Sequence, residues 1–349
     1  MKKTLKVLFF TILSLSIIFG MVGCSSKRTE GTAPTGDEGA KQEKIVIKFS
    51  HVVAENTPKG QAAIMFADLV KEKTNGQVEV EVFPNSQLYK DEDVLNAIQQ
   101  GNVQMAAPAT SVITKLYPQW QVFDLPFAFA DHEQVQQAME GEIGQKLFTM
   151  LTDSNLLGLA MWDNGFKHMS SNKSELIKPE DFAGQKFRVM SSKMLEEQFK
   201  AVGANPTPMA FGEVYSALEQ GVIDGQENTL SNIYSKKFHE VQKYMTLSSH
   251  GYLGYAVITN AEFWNSMPED LRVKVEEALA ETTAWVRESA KELNAEELEK
   301  IKAGNPNLQI HELTDEEKAL WIEKMDVTYD MFKEEIGEDL IEAVRALRK

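Results

Sequence analysis

Arg188 carries the most informative chemistry in the chain. In Lys186-Phe-Arg-Val-Met190 it alternates with Phe187 and Val189, so a strand there turns the guanidinium away from the two apolar side chains. A guanidinium presents a planar fork of donors that fits a carboxylate through two bonds. Spacing alone favours a plainer role, an arginine paired with a structural acid. Lys167 closes Trp162-Asp-Asn-Gly-Phe-Lys167, where the glycine suggests a turn leaving a strand end. Loops at strand ends are where open α/β sheets bind ligands. Asn228 follows Asp224-Gly-Gln-Glu. Its amide can donate to a carboxylate and accept from a hydroxyl, or it can satisfy its own backbone in a turn. His51 ends a strand pattern and Phe211 opens a helical one, and by pattern alone both read as packing. Asp224 and Glu227 read as backbone braces, because a carboxylate facing an anionic ligand repels it.

Other chemistries find no support in the residue pattern. Gly-x-Gly-x-x-Gly, the Walker pattern, Gly-x-Ser-x-Gly and His-Glu-x-x-His are all absent. Cys24 is the single cysteine, which excludes an internal disulfide framework and a multi-thiolate metal site. The six histidines form no short ligand motif, so no metal and no cofactor is expected. The 349 residues carry 36 cations and 52 acids, a formal charge of −16, which argues against a nucleic-acid binder. A composition of 43% hydrophobic and 25% charged residues is that of a globular protein of about two domains.

The elements that must position these groups alternate between strand and helix. Ile45, Ile47 and Phe49 alternate with polar neighbours. Thr57-Pro58 is an N-cap followed by proline in the first helical turn, and Ala63, Phe66, Ala67 and Val70 follow at helical spacing. Asn75-Gly76 ends that helix, and Val78, Val80 and Val82 alternate again. This β-α-β unit predicts a parallel α/β sheet. Helices are expected over 92–100, 133–151, 193–202 and 211–220. Strands are expected over 103–107, 157–162, 186–190, 244–247 and 253–259. From Pro268 a run rich in Ala, Glu, Lys and Leu reaches about residue 303, a helix of roughly 50 Å with a potential break near Asn294. Helical segments from 315 and 338 finish the chain.

The N-terminus reads as an export segment. Lys2, Lys3 and Lys6 precede an apolar run from Val7 to Phe19, too short for a comfortable membrane span of about 20 residues. Met21-Val22-Gly23-Cys24 resembles the bacterial lipobox, with Met21 where leucine is usual, so Cys24 is the expected lipidation site and mature N-terminus. Residues 1–23 then form a lipoprotein signal peptide, and its removal takes away three cations and no acid, leaving −19. Residues 24–43 are polar and form a flexible tether with an r.m.s. reach of roughly 25 Å.

One family unites these features. The stretch 181–190, Val202-Gly-Ala-Asn-Pro-Thr-Pro-Met-Ala-Phe-Gly-Glu-Val-Tyr215, Ala217-Leu-Glu-Gln-Gly-Val-Ile-Asp-Gly-Gln-Glu-Asn228 and Lys237-Phe-His-Glu-Val-Gln-Lys-Tyr244 closely resemble the solute-binding proteins of TRAP transporters, in the DctP family named after the C4-dicarboxylate-binding component. His51 to Gly60, Phe83-Pro-Asn-Ser-Gln-Leu88 and Trp162 to Lys167 agree, and the resemblance spans roughly 44–332. It implies a two-lobed, periplasmic-binding-protein-like α/β fold with a ligand cleft between lobes and a long interlobe helix. Lobe I would comprise 44–165 and 254–293, and lobe II 166–253 and 294–349. It implies an extracytoplasmic receptor that passes a small organic acid to TRAP permease membrane subunits without catalysis. With the lipobox-like Cys24 the receptor is expected to be lipid-anchored on the outer face of the cell membrane or in the periplasm, and a monomer is the default expectation. In the family the arginine at 188 clamps the carboxylate and the asparagine at 228 reaches the ligand. Lysine at 167 resembles the dicarboxylate-type members and is expected to neutralise a second carboxylate. Phe211, His51, Ser111, Trp162, Asn164 and Tyr252 are expected along the cleft. A ligand module feeding a sensor kinase would have the same sequence, and a membrane-anchored enzyme is the other alternative.

Overall fold

A computed structural model describes residues 44–347. The signal, tether and lipidation expectations for 1–43 lie outside the described residues. Strands β1 (Ile45–Ser50) and β2 (Val78–Phe83) pair in parallel, with helix Pro58–Lys73 between them. Thr57 accepts from the Gly60 amide at its start, with Pro58 in the first turn. Helix Asp91–Gln99 opens with three acids, which suits its positive N-terminal end, and leads to the short strand β3 (Met105–Ala106) beside β1.

Two long strands then tie the molecule together. β4 (Leu156–Ser171) has 16 residues, about 50 Å of extended chain. After β5 (Lys186–Val189), β6 (Asn205–Pro208) and β7 (Gly225–Asn228), it is met antiparallel by β8 (Tyr244–Asn260). β9 (Gln309–Glu312) pairs in parallel with one end of β8. The sheet order is β2-β1-β3-β8-β4-β7-β5-β6. The sequence pattern divides β8 into 244–247 and 253–259 and ends β4 at 162. The structure runs each as one strand because β4 and β8 supply each other's hydrogen bonds through three register shifts, at 158/160, 163/165 and 167/169. Gly165, at the middle shift, has a φ of +139° and lies where a Cβ would come within 2.9 Å of the Asn294 amide.

The long helix Glu269–Gly304 is unbroken over 36 residues, about 54 Å. Asn294 fastens it. Its Nδ2 donates to the carbonyls of Ala290 and Asn164, and its Oδ1 accepts from the Ser231 amide. The expected helix over 133–151 is two helices, His132–Glu140 and Glu142–Leu151, meeting at Gly141. A side chain at Gly141 would strike the Gln137 carbonyl at 2.4 Å.

Among the described residues, the apolar side chains form one large core and two smaller ones. The large core joins Phe49, Phe66, Trp120 and Trp162 with Val275 and Val286 of the long helix. In the second lobe, Phe182, Phe187, Phe199 and Trp321 pack together, and Val214, Ile233, Phe238 and Ile301 form a separate cluster. In the chain's last part, Tyr329, Phe332, Ile336, Leu340 and Val344 join the large core, while helix Val327–Met331 also contacts helix Lys193–Ala201. The amphipathic pattern of these helices fixes that one face is buried, not which core buries it.

Candidate functional site

The ends of β5 and β7, the turn after β2 and the start of helix Asp91–Gln99 surround a cavity of about 250 Å³. On the first-lobe side, Asn85 and Ser86 both adopt left-handed φ, 55° and 61°. Their amides are held by the carbonyls of Val53 and His51, which presses this turn against the cavity wall. Tyr255 of β8 stands at the same wall.

Arg188 is 2% exposed and lines the cavity. Its Nε and Nη2 both donate to the Met209 carbonyl, at 3.0 and 2.8 Å. Its Nη1 is buried and has no partner. Burial lowers the guanidinium pKa to about 10, with Glu227, Glu92 and Asp91 opposing, so the group stays charged at neutral pH. A buried charged donor without an acceptor costs about 1–3 kcal/mol or more, a cost that an entering anion removes.

Asn228 lies next to it in the lining. Its Oδ1 accepts from the Thr229 amide at 3.1 Å and from Asn232 Nδ2 at 2.8 Å, which leaves its own Nδ2 to donate. Asn232, on the short helix Leu230–Ser235 that follows, also lines the cavity and has a buried Oδ1 without a partner. Phe211 lines the same wall from a 3₁₀ turn. The walls thus offer a guanidinium N–H, amide donors, an amide acceptor and an aromatic face. That set suits a small anion with hydroxyl or carbonyl groups.

Arg188, Asn228 and Phe211 are therefore brought together. The other expected cleft residues are not on the cavity wall. Lys167 is 2% exposed and its Nζ lies 2.7 Å from Glu227 Oε2. The same oxygen meets His250 Nε2 at 2.9 Å, and His250 Nδ1 contacts Ser248 Oγ at 2.8 Å. Burial pushes the Glu227 carboxyl up, but Lys167 and His250 outweigh it and hold it at about 2. The Lys167 charge is neutralised inside the protein, which removes the geometric basis for its expected contact with a second carboxylate. Ser111 donates to Asp124 Oδ1 at 2.5 Å, Trp162 Nε1 to Thr283 Oγ1 at 2.9 Å, Asn164 Nδ2 to Thr229 Oγ1 at 2.8 Å, and Tyr252 to Asp163 Oδ1 at 2.5 Å. These four donors are spent on the scaffold. His51 is 1% exposed and packs edge-on to Phe49. Burial, assisted by the Lys59 charge, lowers its pKa to about 3, so the ring is neutral.

Several wall residues escaped the sequence reading. Asn232 lies in the helix Leu230–Ser235 that directly follows the strand ending at Asn228, and no local pattern marks it. Lys59 supports the wall from behind: it is fully buried, donates to the Ala107 carbonyl at 2.8 Å and lies 3.4 Å over the Tyr255 ring. In sequence it is an ordinary first-turn lysine. Lys90, Asp91, Glu92 and Glu213 also line the cavity, and their charges look like solvated faces until both lobes are in place. Among the described residues, no group of three or more His, Cys, Asp or Glu is set to hold a metal, and no helix is long and apolar enough to cross a membrane.

Residues 49–335 match the family described as bacterial extracellular solute-binding protein, family 7, DctP. The chain belongs to this family. It is 48% identical over 313 residues to the C4-dicarboxylate-binding protein DctB of Bacillus subtilis, covering 90% of this chain and 89% of that one. It is 47% identical over 336 residues to the C4-dicarboxylate-binding periplasmic protein DctP of Rhodobacter capsulatus, covering 96% and 99%. The crystal structure of a TRAP periplasmic solute-binding protein from Sulfurospirillum deleyianum with bound succinate is 51% identical, with a TM-score of 0.85 over 87% of this chain and 99% of that one. The α/β architecture of this family 7 protein is thus that of solute receptors, and its relatives are receptors rather than enzymes.

Proposed function

We propose that this protein is an extracytoplasmic receptor for a four-carbon dicarboxylate of the succinate and malate type, which it hands to the membrane subunits of a TRAP transporter. One observation carries the reading: Arg188 Nη1 is charged, buried and unpartnered at the cavity wall. One ligand carboxylate accepts from Nη1 and from the Asn228 amide. Hydroxyl or water at C2 donates to Asn232 Oδ1. Phe211 covers the carbon chain. The relatives named for C4-dicarboxylates and the succinate-bound structure support this ligand class. Binding needs no bond cleavage, so the ligand leaves as it came. The apolar run before Cys24 supports a lipid anchor on that cysteine.

A thermal-shift screen of the protein against an acid library tests the reading. A ligand at 100 times its Kd adds about 2.7 kcal/mol. Succinate, malate or fumarate should raise the Tm most, and mass spectrometry of the mixture should show each acid unchanged. Stabilisation by sugar acids or aromatic acids alone would reject the C4 class.

A further inference from the structure

A second carboxylate needs a second cation, and the walls hold one besides Arg188: Lys90. The remaining charged wall groups are the acids Asp91, Glu92 and Glu213, so a dianion entering the cavity depends on both cations. Lys90 precedes helix Asp91–Gln99 in the first lobe. Its Nζ lies 2.5 Å from Oε1 of Glu213, on the 3₁₀ turn of the second lobe. The two side chains are 53% and 55% exposed. This ion pair therefore spans the cavity mouth. An exposed pair of this kind is worth little, so Lys90 can exchange partners at small cost. A different link spans the mouth nearby, from Lys236 Nζ to Asn85 Oδ1 at 3.0 Å, but Lys236 is not on the wall.

We propose that Lys90 is the specificity-determining residue for the second carboxylate, held by Glu213 across the closed mouth and transferred to the ligand when a dicarboxylate enters. The inference rests on the dicarboxylate reading above. It assigns to Lys90 the role that the buried Lys167–Glu227 pair denies to Lys167. It also makes closure and selectivity one event, since the lysine that bridges the lobes is the one that counts the ligand's charges.

Calorimetric titration with succinate and with its half-amide succinamate isolates the contact, because the two ligands share shape and differ by one charge. The wild type should prefer succinate by about tenfold or more, the ratio one charge-assisted contact commands. In Lys90→Met the preference should collapse to within about threefold while succinamate affinity is kept. Lys90→Arg should restore the preference, and Lys236→Met should retain it. A preference that survives in Lys90→Met, or that collapses equally in Lys236→Met, overturns the proposal and leaves the dicarboxylate reading standing. A wild type that binds neither ligand nor any other C4 acid overturns both.

Discussion

Arg188 and Lys167 are both cations on strands of the same sheet, and both are 2% exposed. Their surroundings differ in one respect. Lys167 has a carboxylate at 2.7 Å, while Arg188 has a backbone carbonyl and a third nitrogen with nothing. Burial alone therefore does not mark a binding residue. What marks Arg188 is a buried charge with an uncompleted hydrogen bond at the wall of a cavity, since Glu227 Oε1 is also buried without a partner but does not line it. In the Lys167–Glu227–His250 group each charge has an opposite partner within β4, β7 and β8, whereas Arg188 has no carboxylate within ion-pair distance among the described residues and faces the cavity.

The comparison breaks most visibly through Glu227. Glu227→Gln strips Lys167 of its counter-charge, and breaking a buried pair from one side typically costs about 3–5 kcal/mol. Chemical denaturation of the ligand-free protein should show a loss of that size. An unchanged midpoint together with abolished binding would make Lys167 and Glu227 part of the site after all. Arg188→Met should do the opposite. Affinity for succinate should fall by about 2–5 kcal/mol, while the ligand-free protein changes by less than about 1.5 kcal/mol, since only two bonds to one carbonyl are lost. A large stability loss with affinity intact would return Arg188 to the structural role that its spacing first suggested.

A smaller effect sharpens the comparison with a neutral buried group. His51 has a folded pKa of about 3 against an ordinary 6.5, so the unfolded chain binds the extra proton first as pH falls. Its contribution is full above about pH 6.5 and is lost progressively toward pH 3, at about 1.4 kcal/mol per pH unit. Replacing it with leucine keeps a buried apolar side chain of similar size and removes the titrating ring. His51→Leu should flatten the acid side of the stability profile by about that slope and leave succinate affinity at pH 7 within about twofold. A tenfold affinity loss would place the imidazole on the ligand.

Much of the frame was legible in the chain itself. Alternation in Ile45–Phe49 and Val78–Val82, the Thr57-Pro58 helix start and the proline-free run from Pro268 are local signals, and the structure places elements at each. β6 was not legible, because Asn-Pro-Thr-Pro reads as a loop. Only its edge position, where the missing proline donors face no partner strand, lets it pair with β5. The site divides the same way. The residue order in Lys186-Phe-Arg-Val-Met190 set Arg188 on the face opposite Phe187 and Val189. Tertiary structure alone decided that Glu227 neutralises Lys167, that Ser111, Trp162, Asn164 and Tyr252 spend their donors on the scaffold, and that Lys90 meets Glu213 from the other lobe. The reason is physical. Helix and strand patterns follow from contacts a few residues apart. Whether a buried charge is paired depends on groups far along the chain, as with Lys167 and Glu227, whose distance no local pattern specifies.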